Sequence, residues 1–143
     1  MRKLINYLFV IGLILLGWSI FVEPHILTQT IYTFKNEQLK GLKIVYISDI
    51  HAAPYHHWFL KHIVKSVNQL KPDIILLGGD FVKGHKEKSS MDMNKIALTL
   101  NQLNSPLGIY AVLGNHDGYV NSEKMSQALT QNDIMVLSNK NKI

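Results

Sequence analysis

The chain has 143 residues, of which 47% are hydrophobic and 17% are charged, and it contains no cysteine. This length allows one ordinary domain, and the low charged fraction excludes a disordered chain and favours a membrane segment. Disulfide bonds, thiolate catalysis and sulfur-ligated zinc sites are excluded because there is no cysteine. The net charge of +5 is not gathered into a basic patch with interleaved aromatic residues, so we expect no nucleic-acid partner.

The first predicted element is a membrane anchor at the N-terminus. Residues 4–22 carry no charge, and a helix of that length spans about the 30 Å of a bilayer core. Arg2 and Lys3 precede this stretch, and Glu23-Pro24 ends it. Bulky residues stand where a signal peptide would be cleaved. We therefore expect an uncleaved transmembrane anchor over residues 1–23, with a cleaved signal peptide or a buried core helix as the alternatives.

With one anchor we expect a single-pass membrane protein, and the charges around the anchor bear on its orientation. By the positive-inside rule, Arg2 and Lys3 place the N-terminus in the cytoplasm. Lys35, Lys40 and Lys43 follow the span. Because these lysines could also count toward the cytoplasmic side, the side on which the rest of the chain lies stays open.

The remaining chain predicts a linker and then a regular α/β pattern. Residues 24–42 read as a linker that contains a short strand, because residues 30–34 alternate β-branched and aromatic side chains. A domain over residues 43–143 follows, in which short apolar runs alternate with helical stripes. The predicted strands are 43–48, 74–77, 108–113 and 134–137, and the predicted helices are 58–70, 91–103 and 122–131. This alternation predicts the α/β class, with a parallel sheet built from right-handed crossovers.

Unusual polar clusters follow the first three predicted strands. Asp49 and His51 come after the first strand, Asp80 after the second, and the run 114–117 (Gly-Asn-His-Asp) after the third. The carboxyl ends of parallel strands meet at one edge of a sheet, where α/β proteins bind their ligands. Carboxylate, imidazole and amide groups together suit a divalent cation such as manganese, iron or zinc.

The spacing within these clusters predicts individual roles. Residues 49 and 51 point to the same side of an extended segment, so Asp49 and His51 could hold one ion together. Gly78 and Gly79 allow a close backbone approach before Asp80, whose two carboxylate oxygens could bridge two ions.

The third cluster predicts a ligand and a catalytic group. Asn115 could offer its amide oxygen to a second ion. His116, held by Asp117, would be a free imidazole that protonates a leaving group or contacts a phosphoryl oxygen.

These three motifs, in this order and about thirty residues apart, resemble the calcineurin-like metallophosphoesterase superfamily, and more closely its membrane-anchored branch. The resemblance implies that two divalent ions (Mn, Fe, Zn or Mg) bind at the strand ends, with Asp49 and His51 on the first ion. Asp80 would bridge both ions and Asn115 would bind the second. His116 would be catalytic and oriented by Asp117.

The resemblance also implies the reaction and the substrate class. Members of the family hydrolyse phosphate esters or anhydrides by attack of a metal-bridging hydroxide. In the membrane-anchored branch some members cleave lipid-linked substrates, including the pyrophosphate of UDP-diacylglucosamine. We therefore expect a phosphorylated small molecule or a lipid-linked phosphate as the substrate.

The chain also departs from the family pattern. The family fold continues into a second sheet and adds a Gly-His and a Gly-His-x-His motif, and neither follows Asp117 here. We therefore expect the first half of a metallophosphoesterase sandwich, with the second half missing or supplied by another chain. Three hypotheses remain: an active phosphoesterase, an inactive truncated remnant, and a membrane-tethered interaction module.

The loop after Asp80 is the last polar feature. Lys83, His85, Lys86 and Lys88 lie close together in it. The loop is either simply solvated or binds an anionic substrate headgroup.

Overall fold

The computed structural model describes residues 2–138 and confirms the α/β class. The helices are α1 (Arg2–Phe21), α2 (His57–Gln69), α3 (Met93–Leu100), α4 (Asn115–Val120) and α5 (Ser122–Thr130). The strands are β1 (Ile44–Ile47), β2 (Ile74–Leu77), β3 (Ile109–Ala111) and β4 (Met135–Val136). Short 3₁₀ helices occupy Glu23–His25, Glu37–Leu39 and Glu87–Ser89. The chain divides into two compact units, one up to Phe34 and one from Lys35 onward.

The first unit consists mainly of α1. Of the described residues, this helix alone is long and apolar enough to cross a membrane, as judged by length and composition. The strand predicted over residues 30–34 is wrong, because these residues form no strand and Ile31, Tyr32 and Phe34 are exposed. Their alternation reflects β propensity, but a strand also needs a partner for its backbone hydrogen bonds.

The second unit is built on a four-stranded parallel sheet in the order β1-β2-β3-β4. Each strand pairs with the next one along the chain. Because all the strands are parallel, every connection returns to the same end of the sheet. The polar residues that follow β1, β2 and β3 are thereby brought to one edge, as the sequence predicts.

One face of the sheet carries the hydrophobic core. Alternate strand residues such as Ile75, Leu77 and Ala111 pack against α2, α3 and α5. The helical stripe predicted within residues 58–70 is confirmed on α2, since Leu60, Ile63, Val64 and Val67 are buried. The core continues into residues just outside the strands, with Phe81 and Val82 after β2 and Ile134 directly before β4.

The opposite face of the sheet is apolar and exposed. The alternate residues of the strands and their ends point there, with large solvent-accessible fractions for Ile44, Tyr46, Leu76, Val112 and Met135. Tyr46, for example, is 66% exposed although it lies within β1. A parallel sheet is normally covered on both faces, so this open sheet face is unusual.

The helices α2 and α5 lie within one residue of their predicted bounds, but α3 and α4 differ from the prediction. Helix α3 is shorter than the predicted 91–103, and Asp92 caps its start by accepting a hydrogen bond from the N–H of Lys95 at 3.0 Å. Helix α4 has no counterpart among the predicted elements, because a six-residue helix is too short to show an apolar period. It begins at Asn115, so the third polar cluster forms the first turn of a helix rather than an open loop.

Candidate metal centre

The backbone after β1 turns sharply through two left-handed residues. Asp49 has a φ of 57° and His51 a φ of 44°, a region that residues other than glycine rarely adopt. The expectation that this segment is extended is therefore wrong. The two side chains nevertheless approach one another, with the Oδ1 atom of Asp49 3.8 Å from the Nε2 atom of His51. Such strain clusters at functional sites because the surrounding structure must maintain it.

Backbone hydrogen bonds join the residues that follow β1 to those that follow β2. We call the segment directly after a strand the exit of that strand. The N–H of Asp49 donates to the carbonyl of Gly79 at 3.1 Å, and the N–H of His51 donates to the carbonyl of Asp80 at 2.9 Å. Asp80 itself is left-handed, with a φ of 55°. The two exits therefore hold each other in the conformation that presents their side chains.

The exit of β2 also lies against the exit of β3. Gly79 has a φ of 92°, and a Cβ atom placed on it would collide with the backbone of Gly114. The predicted need for close backbone approach at this glycine is confirmed, because only a residue without a side chain fits there.

We expect Gly79→Ala to destabilise the second unit more than Gly41→Ala does. Gly41 has a similar φ of 80° but nothing within 4 Å of an added Cβ, so its substitution costs only the backbone strain, about 1–3 kcal/mol. Gly79→Ala adds a backbone collision to that strain. Urea denaturation of the full chain in detergent micelles measures both free energies of unfolding. Equal losses of stability would show that the contact with Gly114 is unimportant.

Three side chains converge where these exits meet. One ligand atom from each of His51, Asp80 and His116 lies within 4.8 Å of the others, and all three residues are half-buried. Asp49 stands beside them, more exposed, and accepts a hydrogen bond from the hydroxyl of Ser48 at 2.5 Å. Four of the residues predicted from the sequence are thus brought together at one edge of the sheet.

His116 is tied to Asp80 through its backbone. The N–H of His116 donates to the Oδ1 atom of Asp80 at 2.8 Å, which leaves the other carboxylate oxygen available for a ligand. The rings of His51 and His116 meet edge to face, with centroids 4.7 Å apart. Asn115 is the first residue of α4 and is exposed beside this group, and its role as a ligand stays a prediction.

The side chain of Asp117 contacts backbone groups rather than the ring of His116. Its carboxylate is fully buried and accepts hydrogen bonds from four backbone N–H groups, those of Asp80, Phe81, Val82 and Gly114 at 2.9–3.2 Å. Burial raises the pKa of this carboxyl above its ordinary value, and the four donors oppose the rise. The ring of His116 instead has its Nδ1 atom 3.0 Å from the carbonyl of Gly84. Asp117 therefore joins the exits of β2 and β3 and does not orient the His116 ring directly.

Sequence reasoning did not predict that His85 and Tyr119 lie next to His116. The ring of His85 lies 5.2 Å from that of His116, and the ring of Tyr119 lies 4.9 Å from that of His85. No motif marks these residues. The density of histidines and lysines after Asp80 is a sequence signal for His85, whereas Tyr119 has none.

The donor set fits a divalent metal ion. Imidazole nitrogens and carboxylate oxygens are mixed within one small cluster, which suits manganese, iron or zinc. The imidazoles of His51 and His116 have backbone carbonyls near their Nδ1 atoms, those of Val82 and Gly84, as is usual for metal-binding histidines. Fold and site together therefore define a metal-binding α/β protein.

Comparison with known proteins agrees with this class. Residues 42–142 match the family described as calcineurin-like phosphoesterase. The chain is 41% identical over 107 residues to the UDP-2,3-diacylglucosamine pyrophosphatase LpxG of Chlamydia muridarum. The matched segment covers 70% of the chain and 31% of that protein. The chain is 39% identical over 111 residues to an uncharacterized metallophosphoesterase of Aquifex aeolicus, covering 75% of the chain and 41% of that protein. A transmembrane protein with metallophosphoesterase domain from Danio rerio is 37% identical over 84 residues, covering 58% of the chain and 18% of that protein.

The chain therefore belongs to the calcineurin-like phosphoesterase family, and the resemblance predicted from its motifs is confirmed. It covers 31% to 41% of the length of the first curated relatives that it matches.

Proposed function

We propose that this chain carries a metal-dependent phosphoesterase site that hydrolyses a phosphate ester or a pyrophosphate. The observation that carries the proposal is the convergence of His51, Asp80 and His116, with Asp49 beside them, at the carboxyl edge of the sheet. A divalent ion bound there would lower the pKa of a water molecule and neutralise phosphoryl oxygens.

The side chains divide into those that hold metal and those that act on substrate. Asp49 and His51 are proposed to hold the first ion and Asp80 to bridge two ions, since it keeps a free carboxylate oxygen. Asn115 is proposed to hold the second ion. The His116 ring is proposed to donate a proton to the leaving group or to contact a phosphoryl oxygen, as a positioned imidazole does in general acid catalysis.

A lipid-linked pyrophosphate is the proposed substrate class. Two relatives are named UDP-2,3-diacylglucosamine pyrophosphatase, and α1 could anchor the chain where lipid-linked substrates occur. We further propose that the N-terminus is cytoplasmic and that the domain lies on the other side, as Arg2 and Lys3 favour.

The open sheet face is an argument that a second polypeptide segment is present in the working enzyme. Apolar side chains such as Tyr46, Leu76 and Val112 lie exposed there, and covering them would remove a large apolar area from water. We propose that further polypeptide, in the same chain or in a partner, packs on this face and supplies additional metal ligands.

The same open face favours one competing function. A membrane-tethered module that binds a partner protein would also present a continuous apolar face, and it would need no catalysis. In this alternative the metal site is an inactive remnant of the ancestral enzyme.

Hydrolysis of bis-p-nitrophenyl phosphate by the full chain in detergent micelles with Mn²⁺ tests the proposal. We expect measurable turnover, and we expect His116→Ala to reduce kcat by about 10²–10⁴-fold, the usual contribution of a positioned acid or base. His62→Ala is the matched control, because His62 is an exposed histidine on α2 outside the cluster.

The two negative outcomes have different meanings. Turnover that survives His116→Ala would reject the role of His116. A wild-type chain that neither binds Mn²⁺ nor turns over would favour the interaction module.

A further inference from the structure

The segment from Lys83 to Ser90 forms a closed loop beside His116. The hydroxyl of Ser89 lies 3.2 Å from the carbonyl of Lys83 and 2.6 Å from that of Lys86, and donates to them. The buried Ser90 hydroxyl accepts a hydrogen bond from the N–H of Lys83 and donates to the carbonyl of Ala52, both at 3.3 Å. Two adjacent serines thus fasten both ends of the loop.

An ion pair attaches the same loop to α5. The ammonium of Lys124 donates to the Oε1 atom of Glu87, and this hydrogen bond raises the pKa of Lys124. The loop is therefore connected to the core through Ala52 and to α5 through Lys124.

The closed loop directs one carbonyl at the ring of His116. The Gly84 carbonyl lies 3.0 Å from the Nδ1 atom, and a carbonyl oxygen can only accept a hydrogen bond. The Nδ1 atom must therefore carry the proton, and a neutral ring then keeps its lone pair on Nε2.

We infer that Gly84 and Ser89 are positioning residues that fix His116 in the Nδ1–H tautomer and so present its Nε2 atom to the site. In water a histidine side chain prefers the Nε2–H tautomer. The hydrogen bond to the Gly84 carbonyl is therefore what favours the Nδ1–H tautomer of His116. The consequence for catalysis rests on the proposed function, whereas the tautomer itself does not. In that function the Nε2 atom first takes up a proton from solvent while Nδ1–H stays on the Gly84 carbonyl, and the resulting imidazolium donates the Nε2 proton to the leaving group.

Glycine is needed at position 84 for two separate reasons. Its φ of 78° lies in the left-handed region, and an added Cβ atom would stand 2.6 Å from the Oγ atom of Ser89. A side chain here would strain the turn and displace the hydroxyl that closes it. Either effect moves the carbonyl away from His116.

The tautomer can be measured without any activity. Full chain labelled with ¹⁵N-histidine, in detergent micelles and without metal, is studied by long-range ¹H–¹⁵N correlation at about pH 8, where an ordinary histidine is neutral. His116→Gln identifies the signal. We expect the Nδ1–H form in the wild type and a shift toward the Nε2–H form in Gly84→Ala and Ser89→Ala.

Matched variants separate positioning from general damage. Gly41→Ala changes a glycine of similar φ in open space, and Ser89→Thr keeps the hydroxyl, so both should retain the wild-type tautomer. An Nε2–H form in the wild type, or an unchanged tautomer in folded Ser89→Ala, would overturn the inference.

Kinetics test the functional consequence separately. If the chain turns over, Ser89→Ala should lower kcat by about 10-fold with little change in KM, comparable to the loss of an outer-shell partner. An inactive wild type with the expected tautomer would contradict the proposed function and leave the positioning role supported.

Discussion

Asp80→Asn lowers the affinity of the full chain for Mn²⁺ by on the order of 100-fold or more, because loss of even an outer-shell partner costs about 10–100-fold. Asp80 is the carboxylate of the cluster, and its Oδ1 atom also accepts the N–H of His116. Asparagine preserves that hydrogen bond and tolerates a left-handed backbone, so the fold should persist while the charge is removed. Isothermal titration calorimetry in detergent micelles measures the affinity.

Asp133→Asn provides the control for this substitution. Asp133 follows α5, has a φ of 58° against 55° for Asp80, and lies outside the cluster. It therefore undergoes the same chemical change in the same backbone conformation. Equal Mn²⁺ affinities for the two variants would mean that Asp80 is no ligand.

Asp117→Ala destabilises the second unit by about 3–5 kcal/mol, at the upper end of single-residue effects. The substitution removes one acceptor that serves four backbone N–H groups, and each buried donor left without a partner costs about 1–3 kcal/mol. Part of the loss is recovered if water enters the space. Urea denaturation, followed by the fluorescence of Trp58 in a Trp18→Phe background, gives the free energy of unfolding.

Asp92→Ala sets the scale for this measurement. Asp92 caps α3 through a single hydrogen bond to the N–H of Lys95, so its loss should cost about 1 kcal/mol. If Asp117→Ala costs no more than Asp92→Ala, the buried carboxylate is not what joins the exits of β2 and β3.

The sheet could be predicted well from the sequence because each strand is marked by a pattern of neighbouring residues. Apolar runs bounded by polar residues locate β1 to β4, and the parallel order of these strands is enough to place Asp49, Asp80 and His116 at one edge. The short strand over residues 30–34 fails because pairing depends on a partner that the local pattern does not contain.

The fine geometry of the site could not be predicted in the same way. The left-handed backbone of Asp49 and His51 has no sequence signature comparable to glycine. The carbonyl of Gly84 that contacts His116 is a group that every residue possesses, so its identity depends on the folded loop. Adjacency in sequence also suggests that Asp117 serves His116, whereas its first-turn position in α4 directs it to backbone donors.

The hydrogen bonds between the strand exits constrain how this site can be re-engineered. The exit of β1 donates to that of β2, and Asp117 in the first turn of α4 accepts from the residues after β2. If the segment after one strand were replaced by that of a relative, the unchanged segments after the other two strands would still require the hydrogen bonds made by the original segment. Exchange of metal or substrate preference between family members should therefore require transplanting the three segments together, as a single cassette.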